Sequence, residues 1–96
     1  MKVIVRAEAE DDLGNLFDWI AKDNPHAARA IVTRIRDRIN LLEIDALARM
    51  GRRGRVGGTL ELIEHPYLIV YRVRDEERVI EVLSIVHGAR DRQADT

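Results

Sequence analysis

Cysteine is absent from this 96-residue chain. Disulfides and thiolate metal sites are therefore excluded, and the composition fits a reducing compartment. Aromatic side chains make up only 4% of the sequence, so Trp19, Tyr67 and Tyr71 must each be weighed singly. No apolar run approaches the roughly 20 residues that a bilayer-spanning helix needs. The opening Met1-Lys2-Val3-Ile4-Val5-Arg6 is too short for a signal peptide and reads as a strand. A cytoplasmic protein without a membrane partner is expected. No acid–histidine spacing suggests a metal site, and no cofactor is expected.

A large charge excess is also lacking. Sixteen basic and 17 acidic side chains give a net charge of −1, whereas a protein whose main task is gripping nucleic acid usually carries a clear positive surplus. The charge is nonetheless uneven. Residues 1–48 hold seven basic and nine acidic groups, residues 49–55 hold four arginines and no acid, and residues 56–96 hold five basic and eight acidic groups. The arginine segment is a local positive spot in a chain that would not steer polyanions strongly.

Ninety-six residues enclose one core, and we expect one domain over residues 1–90 with a polar tail over 91–96. Residues 2–6 read as a short strand. Leu13, Leu16, Phe17 and Ile20 fall at i, i+3, i+4 and i+7, one face of a helix over about residues 9–22, with acids crowding its start. Trp19 lies off that stripe. Asp23-Asn24-Pro25 breaks the chain and restarts it: Asn24 or Asp23 caps a second helix and Pro25 suits its first position. Ala28, Ile31, Ile35, Ile39 and Leu42 form the buried stripe of that helix, which runs to about residue 43. Residues 44–58 carry four glycines and read as a loop. Strands are expected over residues 59–64, 67–74 and 79–87, with breaks at His65-Pro66 and at the charged turn 75–78.

This order predicts an α+β fold, β-α-α-β-β-β, with a helical hairpin packed on one face of a small, mainly antiparallel sheet. Alternation places Tyr67, Ile69, Tyr71 and Val73 against Leu68 and Val70. It also places Ile80, Val82 and Val86 on one face of the last strand and Leu83 and Ile85 on the other. Two helices cover one face only, so the second is expected to be apolar and partly open, the mark of a partner site. Alternatively, the loop 44–58 folds over it, or two copies of the chain meet there.

The chain resembles the ParE/RelE superfamily of toxins from type II toxin–antitoxin systems, nearer the ParE branch. The resemblance rests on Asp12-Leu13, Asn24-Pro25-His26-Ala27-Ala28, Gly51-Arg52-Arg53-Gly54-Arg55, Gly58-Thr59-Leu60-Glu61-Leu62, Tyr67-Leu68-Ile69-Val70-Tyr71-Arg72-Val73 and Val86-His87-Gly88-Ala89-Arg90, in that order. It implies a toxin neutralised by a cognate ParD-like antitoxin whose C-terminal segment drapes over it, with operator DNA reached only indirectly, through the antitoxin. The target it implies is DNA gyrase on the ParE side or translated mRNA on the RelE side. A degenerate toxin serving only as antitoxin partner and co-repressor is the third reading.

Cleaving RNA needs groups that deprotonate the 2′-hydroxyl, stabilise the phosphorane and protonate the leaving oxygen. Arg52, Arg53, Arg72, His87 and Arg90 are the candidates, with His87 as acid or base. Against that reading, Gly88 follows His87 where several such nucleases carry a tyrosine. Glu61 and Leu62 occupy the strand where they carry an arginine, and the chain is acidic overall. The favoured reading assigns no catalytic residue. It gives Arg52, Arg53, Arg55 and Arg90 to target binding, and Trp19, Leu68, Val70, Arg72, Leu83 and Ile85 to the antitoxin. Arg72 could instead pair with Glu61 or Glu81 across the sheet, and Trp19 could instead cover the sheet edge.

Overall fold

The computed structural model describes residues 1–88; Arg90 and the tail 91–96 lie outside them. The elements run β1 (Lys2–Val5), α1 (Ala7–Ala21), α2 (Pro25–Leu41), a 3-10 turn (Asp45–Leu47), β2 (Arg52–Arg53), β3 (Leu60–Glu64), β4 (Tyr67–Arg74) and β5 (Val79–His87). They form one sheet of order β1-β5-β4-β3-β2. β1 runs parallel to β5, and every other pairing is antiparallel. The expected β-α-α-β-β-β order is therefore present with one addition. β2 is two arginines, without any apolar alternation to announce it; only its pairing with Leu60 and Glu61 makes it a strand.

Helix α2 starts as its sequence dictates. The Asn24 side-chain oxygen accepts the Ala27 N–H at 3.0 Å, and Pro25 fills the first position, where a missing N–H costs nothing. α1 has no side-chain cap; Glu8 and Glu10 in its first turn meet the positive end of the helix dipole instead. Arg36, late in α2, reaches Glu10, early in α1, at 2.9 Å, as an antiparallel hairpin requires. Leu13, Ile35, Ile39 and Leu42 of this hairpin pack on Leu62, Ile69, Tyr71, Ile80, Val82 and Ile85 of the sheet.

The segment after α2 completes the same side. Ala48 is buried in the core, and the Gly51 N–H donates to the Tyr71 hydroxyl at 3.0 Å. A Cβ at Gly51 would come within 2.9 Å of the Tyr71 ring, so glycine is what lets the chain pass over that tyrosine. The first half of loop 44–58 thus seals the helix side of the sheet. Its second half only rims the other side, where Arg55 and Val56 border a shallow hollow with Val70, Ser84 and Val86.

The face assignment of β5 needs correction. A bulge interrupts the β4–β5 ladder: Tyr71 pairs with Val82 but Val70 pairs with Ser84, leaving Leu83 as an extra residue. One inserted residue moves every following side chain to the opposite face. Ile85 therefore joins the helix-side core, and Val86 pairs with Leu68 on the outer side, the reverse of strict alternation. β1 ends at the same level, with Val5 beside Val82. Past that point β5 has no strand neighbour on its β1 side among the described residues, and the Ile85 N–H donates to the Asp12 carboxylate of α1 at 2.9 Å.

Candidate functional site

The outer face of the sheet, away from the helices, is not the uniformly apolar platform expected from its strands. Two carboxylates sit in it, Glu61 and Glu81, each only 5% exposed. Burying a carboxylate is costly unless it is paired and hydrogen-bonded, and both are. Glu81 in β5 accepts from Arg6 at 2.9 Å, Arg72 at 3.1 Å and Arg74 at 3.0 Å. Burial pushes the Glu81 carboxyl up, and the hydrogen bonds and charges of Arg74 and Arg72 more than offset it, so the group titrates below the ordinary glutamate value. Glu61 in β3 accepts from the Arg52 guanidinium at 3.3 Å and from the Arg55 N–H at 3.3 Å. Of the two cross-strand pairings open to Arg72, the one with Glu81 is formed.

Beside these charged centres, towards the His65–Pro66 turn, lies an apolar strip. Ile63 pairs with Leu68, and Leu68 with Val86. Leu68 is buried, Val70 and Val86 are half-buried, and Ile63 is 48% exposed. Leu68, Val70 and Arg72, expected to share an antitoxin surface, do share this face. Leu83 sits half-buried in the bulge.

Trp19 and Ile85 are elsewhere. Trp19 is 62% exposed on α1, with Lys22 5.2 Å above its ring. Trp19, Asp12, Asn15, Leu16, Tyr67, Ile85 and His87 line a groove of about 310 Å³ between α1 and the unpaired edge of β5. The His87 ring meets Tyr67 edge-on at 5.5 Å. A second hollow of about 350 Å³, lined by Ile63, Leu68, His87 and Gly88 among others, lies on the other side of the same strand end. The edge of β5 past Val82 thus separates two concave surfaces, each of mixed apolar and polar lining. The register bulge could not be read from the sequence, and this edge was missed with it. Asp12, inside the apolar-periodic helix, was the available signal.

Of the nuclease candidates, Arg52 and His87 line one hollow, and Arg53 and Arg72 stand apart from it. His87 pairs with Tyr67 at one end of the β4–β5 ladder, while Arg72 pairs with Glu81 near the other end and on the opposite face. Five strand positions separate them along β4, roughly 15 Å. The buried Nδ1 of His87 has no hydrogen-bond partner among the described residues, so no carboxylate orients the ring through that nitrogen there. Arg52 and Arg53, adjacent in β2, point to opposite faces, the first towards Glu61 and the second alongside Leu60. Arg90 lies outside the described residues. Among those residues, no group of three or more His, Cys, Asp or Glu is placed to hold a metal ion, and no helix is long and apolar enough to cross a membrane.

Comparison with known proteins agrees with this architecture. The solved structure titled "Chromosomal ParDE TA system from P. aeruginosa" superposes with a TM-score of 0.78 at 26% identity, covering 91% of this chain and 95% of that one. A chain of the RelBE2 toxin–antitoxin complex from Mycobacterium tuberculosis superposes at 0.59 with 24% identity, over 90% of this chain and 95% of that one; it shares the fold. Among curated sequences, "Putative toxin Y4kP" of Sinorhizobium fredii (strain NBRC 101917 / NGR234) is 39% identical over 81 residues, spanning 79% of this chain and 76% of its own length. The family described as "ParE toxin of type II toxin-antitoxin system, parDE" matches residues 3–92. The chain belongs to the ParE toxin family of type II toxin–antitoxin systems.

Proposed function

We propose that this toxin inhibits DNA gyrase by binding it, without cleaving RNA, and is neutralised by a ParD-like antitoxin. The observation that carries the reading is that no candidate arginine among the described residues stands free beside His87: Arg72 is at the far end of the strand pair, and Arg52, which lines one hollow with His87, has its guanidinium on Glu61. General acid–base cleavage needs its groups within hydrogen-bond reach of one scissile phosphate, and here His87 and Arg72 stand at opposite ends and on opposite faces of one strand pair. The arginines of the outer face are instead committed to buried glutamates, an arrangement suited to a rigid binding surface.

The antitoxin segment crosses the unpaired edge of β5. From there it touches Trp19 and the groove on one side, and Leu68, Val70, Leu83 and Arg72 on the other. Partly exposed tryptophans and fixed arginines are the residue types that most often anchor such contacts. Operator DNA is engaged through the antitoxin. The toxin's target contacts come from the arginine segment, Arg52, Arg53 and Arg55, with Arg90.

Two assays on purified protein separate the readings. The proposal expects inhibition of gyrase supercoiling and no codon-positioned cuts when translated mRNA is mapped by primer extension. Cuts without inhibition would replace it with the nuclease reading, and silence in both assays with that of a degenerate toxin kept as co-repressor. For the antitoxin, Trp19→Ala is expected to weaken the purified complex about tenfold or more; unchanged affinity would move the contact away from the β5 edge.

A further inference from the structure

A cavity more roomy than either hollow at the β5 edge lies apart from both, among the arginines proposed above for target contacts. It is a cleft of about 640 Å³ at the β2 end of the sheet, lined by Arg49, Arg53 and Arg55, by Gly57 and Gly58, and floored by Leu60 and Val73. Among the described residues, no carboxylate lines it. The loop forming its wall is fixed rather than slack: the Gly54 N–H donates to Thr59 O at 2.9 Å, the Thr59 N–H to Val56 O at 3.1 Å, and the Thr59 hydroxyl to the same oxygen at 2.6 Å. Gly58 has φ of +83°, a conformation in which a side chain would be strained.

Strand alternation distributes the arginines unequally. Arg52 turns to the outer face, where Glu61 takes its charge. Arg53, one residue on, pairs with Leu60 on the other face and has no carboxylate partner among the described residues. Arg49 stands across the cleft, held at the rim by Asp75 through one terminal nitrogen, which leaves its remaining N–H groups to a ligand. The backbone N–H groups of Gly57 and Gly58 make no backbone hydrogen bond among the described residues. Guanidinium forks and unpaired loop N–H groups around one hollow are the chemistry that holds phosphate oxygens, and the apolar floor suits the organic part of a phosphate ester.

We propose that this cleft binds a phosphate-bearing ligand, with Arg53 as its principal contact, Arg49 and the Gly57–Gly58 backbone closing on the same group. The site goes beyond the gyrase reading and does not depend on it: it stands equally if the target is a different one.

The test is amide NMR of the full chain titrated with inorganic pyrophosphate, with sodium chloride at matched ionic strength as control. The expected result is saturable shifts at Gly57, Gly58 and Thr59. They should weaken about tenfold or more in Arg53→Ala, partly in Arg53→Lys, and not at all in Arg36→Ala on the helices. Arg53→Ala leaves the Arg52–Glu61 pair in place, and the dispersion of its own spectrum reports that it is folded. Parallel titrations with ATP and with a short oligodeoxynucleotide identify the source of the phosphate: tighter binding of one of them marks a nucleotide or a strand, and equal binding of all three marks the bare anion. Shifts reproduced by chloride, shifts unchanged in Arg53→Ala, or no saturation with any of the three ligands would overturn the proposal.

Discussion

The two faces of this sheet come from the same strands and differ in nearly every physical property. On the helix side, Ile69, Tyr71, Ile80 and Val82 are fully buried and packed on Leu13, Ile35, Ile39 and Leu42. On the outer side, two glutamates are buried under arginines whose own side chains remain 43–51% exposed. The first face is held by area removed from water. The second is held by charge pairs whose desolvation nearly cancels their attraction, and such pairs add little to stability while fixing side-chain positions. The difference teaches that the helix side makes the fold and the outer side displays it. A partner on the proposed surface would meet guanidinium groups already oriented by Glu61 and Glu81, with an apolar strip beside them.

Substitutions should break the two faces differently. Ile80→Ala, in the helix-side core, is expected to cost about 2–5 kcal/mol in chemical denaturation. A cost below about 1 kcal/mol would mean that this face is not the core. Glu61→Ala leaves Arg52 and the Arg55 N–H without their acceptor and is expected to cost about 1–3 kcal/mol, read in the same experiment. Asp12→Ala removes the acceptor of the Ile85 N–H at the free β5 edge. An expected loss of about 1–2 kcal/mol, with hydrogen exchange accelerated at Ile85 and unchanged at Ile80, would confirm that Asp12 closes that edge. The smallest effect concerns pH. The folded Glu81 carboxyl titrates below its ordinary value, so its contribution is present above the unfolded pKa and is lost as pH falls through the folded one. Glu10, beside Arg36, and Asp45, beside the N-terminal amine, shift in the same direction. Melting temperature should therefore begin to decline as pH falls into the ordinary carboxylate range and go on declining through the lower folded values. It should decline less steeply in Glu81→Gln; an equal slope in the two proteins would show that Glu81 is not coupled to folding.

Much of this architecture was legible in the sequence because its signals are local. Asn24-Pro25 caps and opens α2 through contacts within three residues, and the apolar runs of β4 and β5 are long enough to announce themselves. The bulge at Leu83 left no such mark. Alternation assumes an uninterrupted ladder, and only the pairing with β4 shows where one residue drops out. Ile85 was accordingly expected beside Leu83 on the open face and lies in the core. β2 was invisible for a related reason, since two arginines become a strand only through their partner. The charges of the outer face were half legible. Opposite Arg72, Glu61 and Glu81 were equally plausible on paper, and register chose Glu81. The dispersal of His87 and Arg72 to opposite ends of one ladder could not be read at all, because it depends on the same register.

Gyrase supercoiling measured with wild-type and His87→Ala toxin, both shown to be folded by circular dichroism, tests the account most directly. If the protein acts by binding, the two inhibit supercoiling at equal concentrations and neither cuts translated mRNA. A folded His87→Ala protein that has lost activity, beside a wild type that cleaves mRNA and spares gyrase, would contradict it.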